Sequence, residues 1–301
     1  MKIEYLIKSL NPLAFMGDMD LQVKGLCYDS RQVKTGDLFV AIKGFKSDGH
    51  QFLGDALRRG ACALIIEDKR IWDDPVTKDW AEKGISVCLV SNSRLALALM
   101  ADRFYGHPSK HMHIIGVTGT NGKTTTCNLI SRILEAAGER IGWITTLDYR
   151  IEKDVFQSNR TTPESLDLQK ILNQMVNAGC EWAIVEVSSH SLVLDRVTGC
   201  SFDAAILTNI TQDHLDFHNT QKSYRRAKAK LFEMIEDEPG SSFINKVAVF
   251  NMDDPASREI LESKRTNTTS LTEVSCSLRN EMTAAVATLA ASLCPSTLAR
   301  N

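Results

Sequence analysis

Apolar residues recur with two periods along this chain, and the alternation of the two predicts its architecture. Short apolar runs at residues 38–42, 62–66, 86–90, 114–117, 182–187, 202–207 and 247–250 have the length and composition of buried strands. Between them, apolar residues return every three or four positions. Phe52, Ala56 and Leu57 form one such set, and Leu95, Leu99 and Phe104 another. Leu129, Ile130, Ile133, Leu134 and Ala137, then Leu166, Leu168, Ile171, Leu172 and Met175, repeat the pattern, as do residues 223–235. These predict amphipathic helices. Gly60 and Gly179 stop two of them, and Gly106-His107-Pro108 ends a third, because proline cannot continue the pattern. Shorter strands are expected at residues 21–23 and 25–28, and a polar, extended connection at residues 147–163. Strand alternating with helix predicts an α/β fold, with parallel sheets covered on both faces and ligands at the C-terminal strand ends.

The pattern breaks twice. At Pro108 a small N-terminal α/β domain with its linker helix, residues 1–108, gives way to a parallel-sheet domain, residues 109–261, whose strand, glycine-rich turn and helix at residues 113–128 give it the pattern of a phosphate-loop ATPase domain. From residue 262 to residue 301 the chain is rich in Ser, Thr and Ala and shows no strand alternation, so it reads as a tail.

The second domain opens on HIIGVTGTNGKTTTCN, residues 113–128, in which an apolar run stops at Thr118-Gly119-Thr120-Asn121-Gly122-Lys123-Thr124 and a helical pattern starts at once. Gly119 and Gly122 allow several N–H groups to point at one anion. The helix start adds unpaired N–H groups and the positive end of its dipole. Lys123 supplies a point charge for a phosphoryl oxygen, and the Thr124 hydroxyl suits Mg2+. The glycine spacing is not that of the general phosphate loop, and a helix-capping turn is the plainer alternative.

Apolar content of 43% and charged content of 24% are ordinary for a globular protein. A formal charge of −2 argues against nucleic acid as the main ligand. No apolar run reaches the ~18 residues of a membrane span, and no signal peptide is read at the N-terminus. Eight cysteines are scattered without a CxxC pair and read as buried reduced thiols, which fits a cytoplasmic protein. A monomer is expected.

Four polar groups fall at strand ends: Lys123 with Thr124, Glu186, Ser188 to His190, and His214. Glu186 sits within an apolar run, where a carboxylate needs a cation or a basic partner. His214 alone reads as a satisfied structural histidine, Ser30 as part of a capped turn, and Lys228 with Lys230 as a solvated helix face.

The loop Gly119-Thr120-Asn121-Gly122-Lys123-Thr124-Thr125 resembles the ATP loop of the Mur ligases, which build bacterial cell-wall peptides. Further ordered motifs carry the resemblance: Asp29-Ser30-Arg31, Asp48-Gly49-His50, Thr161-Thr162-Pro163, Glu186-Val187-Ser188-Ser189-His190, residues 208–216 (TNITQDHLD) and residues 224–232 (YRRAKAKLF). They are similar to the branch that adds the third amino acid. The resemblance implies an ATP-dependent ligase joining a diamino acid to UDP-N-acetylmuramoyl-L-alanyl-D-glutamate through an acyl phosphate, in peptidoglycan synthesis. It implies that Gly119 to Thr125 bind ATP and that Lys123 neutralises the transferred phosphoryl group. Ser30 would hold the UDP part, and Thr161, Thr162, Ser188 and Arg196 the muramoyl-dipeptide. Thr124 and Glu186 would hold one Mg2+, His214 and a carbamylated Lys228 a second. The resemblance stops near residue 260, and residues 262–301 do not resemble the family, so a truncated chain is expected, with a remnant that binds UDP-sugar or ATP without turnover as the alternative. Folylpolyglutamate synthetase, a relative with a similar loop, fits less well because of Asp29-Ser30-Arg31.

Overall fold

A computed structural model describes residues 1–45, 47–158, 160–213, 215–236, 246–265 and 272–276. The chain divides into two units, one of Met1–His107 with Ser165–Lys170, the other of Pro108–Glu164 and the chain from Ile171 onward.

The first unit is built on strands β1 (Ala14–Met16), β2 (Gly25–Cys27), β3 (Asp37–Val40), β4 (Ala63–Ile66) and β5 (Ser86–Leu89), in the order β1-β5-β4-β3-β2. The pairs β2–β3, β3–β4 and β4–β5 are parallel, whereas β1 runs antiparallel along β5. Every residue of β3, β4 and β5 is buried, as a strand covered on both faces must be. The helix Ser93–Phe104 starts where the Asn92 side chain accepts from the N–H groups of Arg94 and Leu95. No strand forms at residues 21–23. That stretch makes a single bridge, Lys2 to Gln22, because its other backbone groups bond to the N-terminal helix and turn.

The second unit holds an eight-stranded sheet in the order β13-β12-β11-β6-β10-β7-β8-β9. Its strands are β6 (His113–Thr118), β7 (Ile141–Ile144), β8 (Asp148–Ile151), β9 (Asp154–Gln157), β10 (Trp182–Glu186), β11 (Ala204–Leu207), β12 (Val247–Asn251) and β13 (Thr272–Cys276). All pairings from β13 to β7 are parallel. The buried core is drawn from these strands and the helix Lys123–Ala136: Ile115, Val117, Ile130, Leu134, Trp182, Ile184, Ile206 and Val249 lie in one cluster.

Two regions of this second unit depart from the expectation. Residues 148–157 are an antiparallel hairpin, β8 and β9, so the sheet is mixed at that edge. The apolar signal is weak there because β9 is exposed throughout and β8 only half-buried. The tail also contains structure. Helix Pro255–Arg265 crosses residue 262, and β13 pairs in parallel with β12, correcting the expectation that no strand follows residue 262. Thr272, Ser275 and Glu273 disguise that strand as polar sequence. Among the described residues, no helix is long and apolar enough to cross a membrane.

Candidate functional site: a glycine turn between a buried carboxylate and a buried lysine

Strand β6 ends at Thr118, and the chain reverses before the helix Lys123–Ala136. Gly119 takes φ +148°, and a Cβ there would lie 1.9 Å from Thr208 Oγ1, so a side chain cannot pass the end of β11 at this point. Gly122 is the helix N-cap at φ +83°, and no side chain caps the helix. The first N–H groups of the helix are thus left for a ligand. Gly122, Lys123, Thr124 and Thr125 line a cleft of about 620 Å³ together with Thr120, Asn121, Asn128, Thr146, Leu147 and Glu186.

The turn is held from the neighbouring strand end. Thr120 N donates to Asn209 O at 2.8 Å, and Asn121 N to Asn209 Oδ1 at 3.1 Å. Thr208 Oγ1 and Asn209 Nδ2 both donate to Asn121 O, at 2.6 and 3.0 Å. The Thr120 hydroxyl accepts from Thr211 N at 3.0 Å and meets Tyr224 Oη at 3.1 Å. Thr208, Asn209 and Tyr224 are thus site residues that the motifs contain but that no sequence argument singles out.

Glu186 is the last residue of β10 and only 2% exposed. Its carboxylate accepts from neutral donors: Thr124 Oγ1 at 2.9 Å, Thr146 N at 3.1 Å and Thr146 Oγ1 at 3.0 Å. Lys123 Nζ lies 3.9 Å from Glu186 Oε1 and donates instead to the carbonyls of Gly119 and Thr120, at 3.1 and 2.9 Å. Thr146 is another residue that sequence reasoning passed over. Its signal is position, two residues past the end of β7, the strand beside β10.

Lys228, on the helix Gln221–Glu236, is 1% exposed rather than a solvated face. Its Nζ donates to Gly119 O at 2.7 Å and sits 4.6 Å from the centre of the Tyr224 ring. Burial, and then the charge of Lys123, bring its pKa down to about 7 despite the opposing pull of Asp213 and Glu186.

The other predicted residues of this unit adjoin Glu186 along one hydrogen-bonded path. Thr162 Oγ1 donates to the Glu186 backbone carbonyl at 2.9 Å and accepts from Ser188 N at 3.2 Å. Arg196 donates to Thr162 O at 3.2 Å and pairs with Glu164 at 2.8 Å. Thr161 Oγ1 lies 3.1 Å from Thr146 Oγ1. Ser30 belongs to the first unit, buried at the start of a 3-10 turn whose cap is Asp29. His214 lies outside the described residues.

The donor set suits Mg2+. It offers one carboxylate and one hydroxyl at a helix start, and Mg2+ in nucleotide sites takes one or two carboxylates and fills its other positions from phosphate and water. No group of three His, Cys, Asp or Glu converges among the described residues, so the site does not resemble a cage for a transition metal.

A parallel sheet, a left-handed glycine cap, and a Lys-Thr pair beside a carboxylate on the adjacent strand define a nucleotide-binding α/β protein of the phosphate-loop kind. The Mur ligase middle-domain family matches residues 117–293, and the family described as Mur ligase family, catalytic domain, matches residues 22–105. This chain belongs to the Mur ligase family. It is 43% identical to the UDP-N-acetylmuramyl-tripeptide synthetase of Roseiflexus sp. (strain RS-1), over 87% of this chain and 52% of that one. It is 41% identical to the UDP-N-acetylmuramoyl-L-alanyl-D-glutamate--2,6-diaminopimelate ligase of Bacillus licheniformis, over 85% of this chain and 50% of that one. A solved structure of a ligase of that second name aligns with a TM-score of 0.71 and 26% identity, covering 94% of this chain and 54% of that one. The MurF ligase from Thermotoga maritima in complex with ADP aligns with a TM-score of 0.53 and 26% identity, covering 85% and 51%. The chain spans about half the length of the curated relatives it matches. The middle-domain match runs to residue 293, past the point where individual motifs stop.

Proposed function

We propose that this chain binds ATP and the acceptor in an ATP-dependent amide ligase that joins a diamino acid to UDP-N-acetylmuramoyl-L-alanyl-D-glutamate in peptidoglycan synthesis, in the cytoplasm and as a monomer. Diaminopimelate is the diamino acid in the names of the ligase relatives. The observation that carries this reading is the contact between Thr124 and Glu186, 2.9 Å apart beneath the glycine turn and beside Lys123.

In the proposed reaction the glutamyl carboxylate of the acceptor attacks the γ-phosphorus of ATP, ADP leaves, and an acyl phosphate forms. The amine of the diamino acid then adds to the acyl carbon, loses a proton and displaces phosphate. Phosphoryl transfer asks the protein mostly for positioning and charge. Gly119 to Thr125 supply N–H donors to the phosphates, and Lys123 leaves its two loop carbonyls for a phosphoryl oxygen. Thr161, Thr162, Ser188 and Arg196 hold the acyl end of the acceptor, and Ser30 the uridine end.

Thr124 and Glu186 would hold Mg2+, with His214 and Lys228 serving a second ion. A bound ion supplies charge neutralisation at the phosphate oxygens. Lys228 fits such a site only as an anion. Its amine, half neutral near pH 7, can form an N–C bond to CO2 and lose a proton, which leaves a carbamate in place of an ammonium.

Titrating the chain with MgATP tests the reading. Wild type is expected to bind, and Lys123→Ala to bind about 100-fold more weakly, the loss of a charged phosphate contact. No binding by wild type, or equal binding by Lys123→Ala, overturns it. Release of phosphate on addition of acceptor and diamino acid extends it from binding to turnover.

A further inference from the structure

Thr146 stands between the two ends of the site. Its position is fixed by a turn in which Thr145 N donates to Asp148 O at 2.8 Å and the N–H groups of Leu147 and Asp148 both donate to Thr145 Oγ1 at 3.3 Å. Trp143 Nε1 donates to Asp148 Oδ1 at 2.7 Å and anchors the same turn to β7. Thr146 thereby presents both its N–H and its hydroxyl to Glu186, two of the three hydrogen bonds described above.

The hydroxyl has a second neighbour, Thr161 Oγ1, at 3.1 Å. A hydroxyl has one proton to give, and a carboxylate can only accept. The single Thr146 proton is therefore shared, since the hydroxyl is placed to donate either to Glu186 Oε1 or to Thr161 Oγ1. A short chain thus runs from the carboxylate through Thr146 to Thr161, and a proton given to one end is withdrawn from the other.

Resting on the reading of this site as one for a magnesium nucleotide and an acceptor, we infer that Thr146 is a positioning residue. It holds Glu186 for the cation and links that carboxylate to Thr161 on the acceptor side through one shared proton, so that a change at one end of the site is felt at the other.

Nucleotide titrations of the full chain test this, with MgATP and with ATP in excess chelator. Thr146→Val is expected to weaken MgATP binding about tenfold, the loss of a hydrogen bond to a charged group, and to leave metal-free ATP binding within twofold. Thr146→Ser, which keeps the hydroxyl, should restore MgATP affinity to within twofold of wild type. Thr161→Val, which frees the shared proton for Glu186, should tighten MgATP binding about twofold in the wild-type background and not at all in Thr146→Val, the non-additivity of a shared proton. Equal effects of Thr161→Val in both backgrounds, equal losses with and without Mg2+, or no rescue by serine each overturn the inference. If wild type binds MgATP and Thr146→Val binds it equally, the inference fails and the nucleotide site stands. If wild type does not bind, both fall.

Discussion

The two units are both α/β sheets with polar residues gathered at strand ends, yet they use those residues in opposite ways. In the first unit the polar groups answer each other. Asp48 accepts from the N–H of His50 at 3.0 Å and from His50 Nδ1 at 2.6 Å. His50 Nε2 accepts from Glu67 N at 3.0 Å, and Glu67 in turn accepts from Ser93 N at 2.7 Å. The path runs from Ser93 through Glu67 and His50 to Asp48 and ties these loops together. In the second unit two lysines, Lys123 and Lys228, donate to one carbonyl, Gly119 O, while the nearby carboxylate of Glu186 is met by threonines. Like charges brought together and an acid left among neutral donors cost stability unless a ligand completes the set. The contrast teaches that buried polar groups mark scaffolding when each donor meets its own acceptor, and mark a site when like charges converge on one acceptor.

The largest expected effect that would sharpen this contrast is steric. Gly119→Ala should lower the stability of the second unit by about 3 kcal/mol, because the new Cβ meets Thr208 Oγ1 and the Asn209 carbonyl where the loop has no room to yield. Urea denaturation followed by tryptophan fluorescence measures this, and a shift within error of wild type would remove the argument that only glycine fits.

Next in size is a pH dependence. Lys228 has a folded pKa of about 7 against an ordinary 10.5. Below the folded value the ammonium is buried and its cost is fully present. Between the two values the unfolded chain holds a proton that the folded chain has lost, so stability rises with pH, by up to about 1.4 kcal/mol per unit. The difference between wild type and Lys228→Met, measured by denaturation between pH 6 and pH 9 without bicarbonate, should be flat at the acid end and climb above pH 7. A flat difference throughout would mean that the lysine is not buried unpaired, and the contrast between the units would lose its main support.

The smallest effect concerns the first unit. Ser30→Ala should change stability by no more than about 1 kcal/mol and leave MgATP affinity untouched, while affinity for a uridine nucleotide falls severalfold. A loss of stability with no change in uridine binding would make Ser30 one more piece of scaffolding, like Asp48 and His50.

The uneven legibility of the chain follows from the same physics. Central strands such as β6 and β10 declare themselves because both faces are buried and their residues are apolar in sequence. Edge strands do not. β9 is exposed, and β13 carries Thr, Glu and Ser, so neither produces a run or a clean alternation. The glycine turn and Lys123 were legible because backbone freedom and charge at a strand-to-helix junction have few other uses. Lys228 was misleading, since its neighbours Arg225, Arg226 and Lys230 make a charged helix that looks solvated. Thr146, Thr208 and Asn209 were marked only by position after a strand, because threonine and asparagine at strand ends are ordinary turn residues.

The sequence by itself determined the period of each element, the place of the glycine turn, and the family, because these depend on local backbone freedom and on apolar spacing. Only the tertiary structure decided that Lys228 lies buried against Gly119 O, that Glu186 rests on threonines, and that β11 braces the loop. Those facts depend on which strands lie side by side, and burial and the pairing of charges are set by neighbours in space.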